Sequence, residues 1–127
     1  MHIQSRLLKL CLLACSLGAS FYFFDYTAAS AQSDGQAEFF EKQIRPIFAT
    51  QCAKCHNPKA QVAKLDLTTA EGFAKGGESG PLINKDKPEE SRLLKAIGYS
   101  ETLKMPPTGK LKDEEIQALA AWVKASS

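Results

Sequence analysis

The sequence predicts an all-α domain with long loops. Three observations lead there: apolar residues recur at helical spacing near both ends of the segment 32–127, two shorter stretches between them carry helix-start signals, and no stretch sustains an alternation of period two. Lys64 to Thr68 alternates only briefly. Residues 1–31 are expected to lie outside this domain.

That leader reads as a secretory signal peptide. Arg6 and Lys9 give a positive start, Leu10 to Phe24 is an uncharged, largely apolar run of 15 residues, and Ala29-Ser30-Ala31 has the small-x-small form of a cleavage site, so the cut is expected before Gln32. The run is shorter than the ~20 residues that span a bilayer. An uncleaved anchor is the alternative if Tyr26 to Ala31 extends it. Leu12-Leu13-Ala14-Cys15 also resembles a bacterial lipoprotein box, which would make Cys15 an acyl anchor, although the apolar Phe21 to Phe24 argues against a polar tether there. Cys11 and Cys15 otherwise read as ordinary apolar residues of a discarded peptide.

Residues 32–127 are one domain by length, small enough that the apolar surface they bury is limited. Removing 1–31 takes away Arg6, Lys9 and Asp25, which leaves Lys plus Arg at 14 and Asp plus Glu at 13. That balance implies no nucleic-acid partner. Beyond a short polar lead-in at Gln32 to Gln36 there is no low-complexity tract, repeat or charged tail.

Taken in order, Phe40, Ile44, Ile47 and Phe48 line one face of a helix over about 37–51. Pro46 falls inside it, lacking the N–H for an interior helical bond, so a kink or restart is expected near Arg45. Thr68 and Glu71 have capping-box spacing and predict a brief helix up to about Ala74, stopped by Gly76-Gly77. Asp86 and Glu89 have the same spacing, with Pro88 tolerable in the first turn, and predict a helix to about Ile97 that ends at Gly98. Leu93, Leu94 and Ile97 would face the core. In the last helix Ile116, Leu119, Ala120 and Val123 form a stripe, Asp113 to Glu115 suit the positive N-terminal end, and Lys124 suits the last turn. Trp122 is expected to pack against the first helix rather than to conduct electrons itself.

The chemistry lies in Cys52-Ala53-Lys54-Cys55-His56. Two thiols three apart followed at once by an imidazole form the c-type haem attachment pattern, in which each sulfur adds across one vinyl group and the adjacent His places a nitrogen on the iron. Rival readings fit less well. A closed zinc site takes four Cys or His ligands, and 32–127 offers only Cys52, Cys55 and His56. A thioredoxin-like dithiol belongs near a βαβ pattern that is not evident here. A structural disulfide would close a loop too short to restrain the unfolded chain much. One haem c per chain is therefore expected, its apolar plate forming part of the core.

The second axial position follows by elimination. Within 32–127 the single His is His56 and the single Met is Met105, so two-histidine ligation within one chain is excluded. Met105 lies 49 residues after His56 in Lys104-Met105-Pro106-Pro107, a stiff, non-helical segment able to present its sulfur. A core-filling methionine is the competing role. His/Met ligation raises the reduction potential relative to His/His and fills the iron's coordination, which favours passing single electrons over binding a substrate.

Several motifs together resemble the planctomycete-type cytochrome c domain, a relative of class I cytochromes c, over about Phe39 to Lys124. They are Ile44 to Phe48, Cys52 to His56, Leu65-Asp66-Leu67, Gly76 to Pro81, Pro88 to Leu93, Met105-Pro106-Pro107 with Gly109, and Glu115-Ile116 through Trp122. The resemblance implies crossing N- and C-terminal helices around a covalent haem, thioethers from Cys52 and Cys55, His56 proximal and Met105 distal. The chain departs from the pattern in standing alone with a leader, and in having Ala63 and Lys64 where that family often has glycine before Leu65. Gly76 to Pro81 reads either as an anion-receiving nest for a haem propionate or as a plain connector. His56 is expected to donate its other ring N–H to a backbone carbonyl that the sequence does not identify.

The expected function is that of an exported, periplasmic, monomeric electron carrier and not an enzyme. It would exchange electrons with donor and acceptor redox proteins in transient contacts, and would be membrane-associated if the leader stays or Cys15 is lipidated. Two alternatives stand beside it: a gas sensor or minor haem catalyst in which Met105 leaves, and a haem-free exported module with a Cys52–Cys55 disulfide.

Overall fold

The computed structural model describes residues 34–99 and 102–127. The leader expected at 1–31, with Cys11 and Cys15, lies outside the described residues. The chain divides into two units, Met1–Ala37 and Glu38–Ser127. Of the first, residues 34–37 are described and are helical. The second, which carries the CxxCH segment, is helical with no strand among the described residues.

Helix α1 covers residues 38–52 of this second unit. Pro46 changes its bonding pattern without breaking it. Arg45–Ile47 is α-helical with Pro46 in its first turn, where the missing N–H has no partner to lose. The turns on either side, Phe40–Ile44 and Phe48–Cys52, are π-helical. The Arg45 N–H bonds Phe40 O, and the Ala53 N–H bonds Phe48 O at 2.9 Å. The restart expected near Arg45 is seen as this change of bonding pattern, and the wider turns on either side keep the chain helical through the proline.

Helix α2, Ala70–Lys75, starts one residue later than the capping-box reading placed it. Thr69 is the N-cap, its hydroxyl accepting from Gly72 N–H at 3.0 Å. Thr68 is drawn away by Asp66, whose Oδ1 takes both the Thr68 N–H (2.8 Å) and its hydroxyl (2.6 Å).

The single helix expected over 86–97 is two elements. A 3₁₀ turn, Pro88–Glu90, is followed by helix α3, Arg92–Gly98, with Ser91 extended between them (ψ 135°). Asp86 does not cap; its N–H and that of Lys87 donate to Asn84 Oδ1. Ser91 is fully buried, and its hydroxyl accepts the Asn84 N–H at 3.0 Å. This bond from the preceding loop holds the break open. α3 runs through Gly98 and stops at Tyr99, which takes the left-handed conformation (φ 57°) in place of a glycine.

Helix α4, Asp113–Ala125, follows the sequence pattern closely. Glu115 reaches back to accept the Lys112 N–H at 3.0 Å, securing the first turn. Its stripe meets α1: Ile44, Leu119 and Val123 are all fully buried. Ile47, Phe48, Leu65, Leu82, Leu93, Ile97 and Leu111 complete the core. Trp122 packs against Phe40 and Phe48 of α1 and Phe73 of α2, ring centroids 5.2–5.7 Å away, so the expected packing role is met.

Candidate haem site

The CxxCH segment sits at the C-terminal end of α1, where the chain turns on its own carbonyl. Cys52 O accepts both the Cys55 N–H (3.2 Å) and the His56 N–H (3.0 Å), which folds the pentapeptide into one tight turn. Asn57 fastens this turn from below: its Nδ2 donates to Ala53 O (2.7 Å) and Lys54 O (3.2 Å), and its Oδ1 receives the N–H groups of Lys59 and Ala60, each at 2.9 Å. The loop beyond wraps back, with Leu67 N–H on His56 O at 3.0 Å.

His56 is buried, and its Nδ1 lies 3.0 Å from Val62 O. A carbonyl oxygen only accepts, so Nδ1 carries the proton of this bond, which leaves Nε2 as the ring nitrogen available to a metal. This is the carbonyl partner that the sequence left unnamed, and it is the arrangement that fixes a metal-binding imidazole.

Cys52, Cys55, His56 and Met105 all line one cavity of about 500 Å³. Its walls are largely aliphatic, from Val62, Leu65, Leu82, Leu93, Ile97 and Leu103; Gln51, Glu78, Ser79 and Arg92 are the polar exceptions. Cys55 is exposed and Cys52 half-buried, and both thiols are free. Burial, reinforced by the Glu115 carboxylate, pushes the Cys52 thiol up to about 11. Met105 comes from the segment after α3, half-buried, its N–H bonded to Ala96 O at 2.9 Å. Among the described residues no group of three or more His, Cys, Asp or Glu is placed to hold a metal ion.

The Gly76 to Pro81 loop walls the cavity through residues 77–80. Four of its five N–H groups are engaged inside the protein: Gly76 on Gly72 O, Gly77 on Gly80 O, Glu78 on Ala63 O and Gly80 on Gly77 O. That of Ser79, which lines the cavity, is not among them.

Asn57, Val62, Arg92 and Tyr99 were missed by the sequence reading. The Asn57-Pro58 dipeptide, a turn signal, could have pointed to the first. The others act through contacts that only the folded chain brings together.

A helical unit that gathers CxxCH and a loop methionine around one apolar cavity has the parts of a c-type cytochrome. Residues 52–109 match the family model described as Planctomycete cytochrome C. No curated protein and no solved structure matches the chain. The match to a cytochrome c family suggests a covalently bound haem and a haem-type electron-transfer role. The residues present fit that group: two thiols, an imidazole with Nε2 free, and an apolar cavity within the ~300–1,000 Å³ common for cofactor sites.

Proposed function

We propose that the chain is an exported, periplasmic, monohaem cytochrome c of class I type that carries single electrons between redox proteins. Cys52 and Cys55 would hold the haem as thioethers, and His56 Nε2 and Met105 Sδ would be the protein ligands of its iron. The observation that carries this reading is the meeting of these four side chains in a single apolar cavity, with His56 already oriented by Val62.

The haem, when bound, supplies an iron that accepts and gives one electron. The protein's part is to position and to exclude. Val62 O keeps the imidazole in one tautomer and orientation. Leu65, Leu82, Leu93 and Ile97 form a dry wall that keeps water from the ring. A thioether opposite an imidazole favours the reduced state relative to a second imidazole.

The chain also offers its partner a charged rim. Lys54 stands between Cys52 and Cys55, Lys64 between the wall residues Ala63 and Leu65, and Lys104 between Leu103 and Met105; all three are exposed. No acidic residue occurs between 52 and 65 or between 102 and 112. Val62 and Leu103, which line the cavity mouth, are the large exposed apolar residues among those described. An acidic redox protein meeting this face in a small, transient interface is the partner we infer.

The test is the mass and visible spectrum of the exported protein, which report leader removal, acylation, haem addition and coordination together. A mass equal to the amino acids alone, without pigment, would overturn the proposal. Met105→Ala is expected to lower the reduction potential and to let carbon monoxide bind the reduced protein; an unchanged potential would remove Met105 from the iron.

A further inference from the structure

We propose that Tyr99 is a positioning residue for Met105, a latch whose hydroxyl holds the methionine segment against the haem cavity. The inference rests on Met105 being the distal ligand and goes beyond it, since it names what keeps that ligand in place.

Met105 is bracketed by two bonds from α3. Its own N–H donates to Ala96 O at 2.9 Å, a carbonyl in the last turn of that helix. On its other side the Tyr99 hydroxyl donates to Pro106 O, which also receives the Gly109 N–H at 3.3 Å. Pro106 and Pro107 have no N–H to give, so the backbone of these two residues can be hydrogen-bonded only through its carbonyls. Among the described residues, Tyr99 is the group outside the segment 102–109 that does so.

The position of Tyr99 is itself costly. It takes φ 57°, where glycine is the easy choice, directly after Gly98, which is helical. A left-handed residue at this corner turns the chain out of α3, and Tyr99, half-buried there, reaches the Pro106 carbonyl. A thioether is a weak ligand that competes with external ones. The fraction of time Met105 is in place therefore depends on how firmly its backbone is held, and the Tyr99 bond biases the balance between a closed electron carrier and an open, ligand-binding form.

The experiment uses the exported holoprotein as wild type, Tyr99→Phe, and Met105→Ala as the open reference. Three things are read: carbon monoxide association with the reduced protein, the pH at which the sulfur-to-ferric-iron absorption disappears, and the melting temperature. Tyr99→Phe keeps the ring and removes the donor. It is expected to speed carbon monoxide association by about five- to tenfold, the scale of one neutral hydrogen bond, and to lose the sulfur–iron absorption at lower pH. A lowered melting temperature with both ligand readouts at wild-type values would show a merely structural role and overturn the latch. Tyr99 is the one tyrosine of 32–127, so fluorotyrosine labelling of the processed protein strengthens that donor alone. It is expected to slow association below wild type, and no slowing overturns the proposal even if Tyr99→Phe yields no holoprotein. If wild type already binds carbon monoxide as fast as Met105→Ala, the ligand reading fails first and the latch with it.

Discussion

Ala63 and Lys64 occupy backbone angles that favour glycine, with φ of 57° and 54°. These angles give a physical reason for a glycine, which the family resemblance leads one to expect at Ala63 or Lys64: the chain doubles back here so that Val62 O can reach His56 and Ala63 O can receive the Glu78 N–H. The left-handed conformation costs a non-glycine residue ~1–2 kcal/mol, part of which a glycine would return as unfolded-state entropy. Lys64→Gly is therefore expected to raise stability by about 0.5–1 kcal/mol, read as a higher denaturant midpoint at unchanged m-value. A drop would mean that the lysine stem packs usefully. Nearby, the Thr68 hydroxyl, followed by the Thr68 N–H, holds the Asp66 carboxyl below its ordinary value of 3.8. A lowered folded-state value means that this turn's contribution is complete above the ordinary carboxylate range and is lost as pH falls through the lowered one. The protection factor of the Thr68 amide, taken against the intrinsic exchange rate at each pH, should fall in that acid window, and Asp66→Asn should remove that fall.

At the scale of elements, the long helices were legible and their joints were not. Ile116, Leu119, Ala120 and Val123 announce α4 because a 3.6-residue period is a local property, and Leu119 and Val123 are indeed fully buried. The start of α2 slipped by one residue because Thr68 and Thr69 are chemically equal as caps, and only Asp66, by engaging Thr68, decides between them. The break at Ser91 depends on the Asn84 N–H, a contact no local pattern contains. CxxCH was readable because covalent chemistry demands that order, whereas Val62 O and Tyr99 act on the site through the folded backbone. What joins the elements is the aromatic cluster of Phe40, Phe48, Phe73 and Trp122, with tilted or edge-on rings. Trp122→Ala removes the ring shared by α1, α2 and α4. It is expected to cost about 3 kcal/mol, visible in thermal or denaturant melts of the holoprotein, while the visible spectrum stays that of wild type because the cluster does not line the haem cavity. A lost sulfur–iron absorption in this variant would show that the helix joint and the site are coupled.

For the whole molecule, near-neutral charge conceals an uneven distribution. Outside the cavity rim several cations are paired within their own element or turn: Lys42 with Glu38, Arg45 with Glu41, and Lys87 with Glu90. Next to cavity-lining residues, Lys54, Lys64 and Lys104 are exposed and form no ion pair among the described residues, Lys110 lies 3.8 Å from Asp113, and the exposed Glu78 is the one carboxylate in the wall. Exposed charges act on an approaching partner over about one Debye length, ~10 Å at 0.1 M salt, so the rim rather than the net charge should govern encounter at the haem edge. Small redox reagents of opposite charge test this without a known partner. Oxidation of the reduced holoprotein by the anion ferricyanide is expected to slow as salt is added, and oxidation by the cation tris(1,10-phenanthroline)cobalt(III) to quicken. Lys54→Glu should weaken the ferricyanide dependence, lowering its low-salt rate by about tenfold. Lys124→Glu, on the last turn of α4 and outside the cavity wall, should leave it nearly unchanged. Equal salt slopes for the two reagents, or equal effects of the two substitutions, would mean that electrons do not leave by the face that carries Lys54.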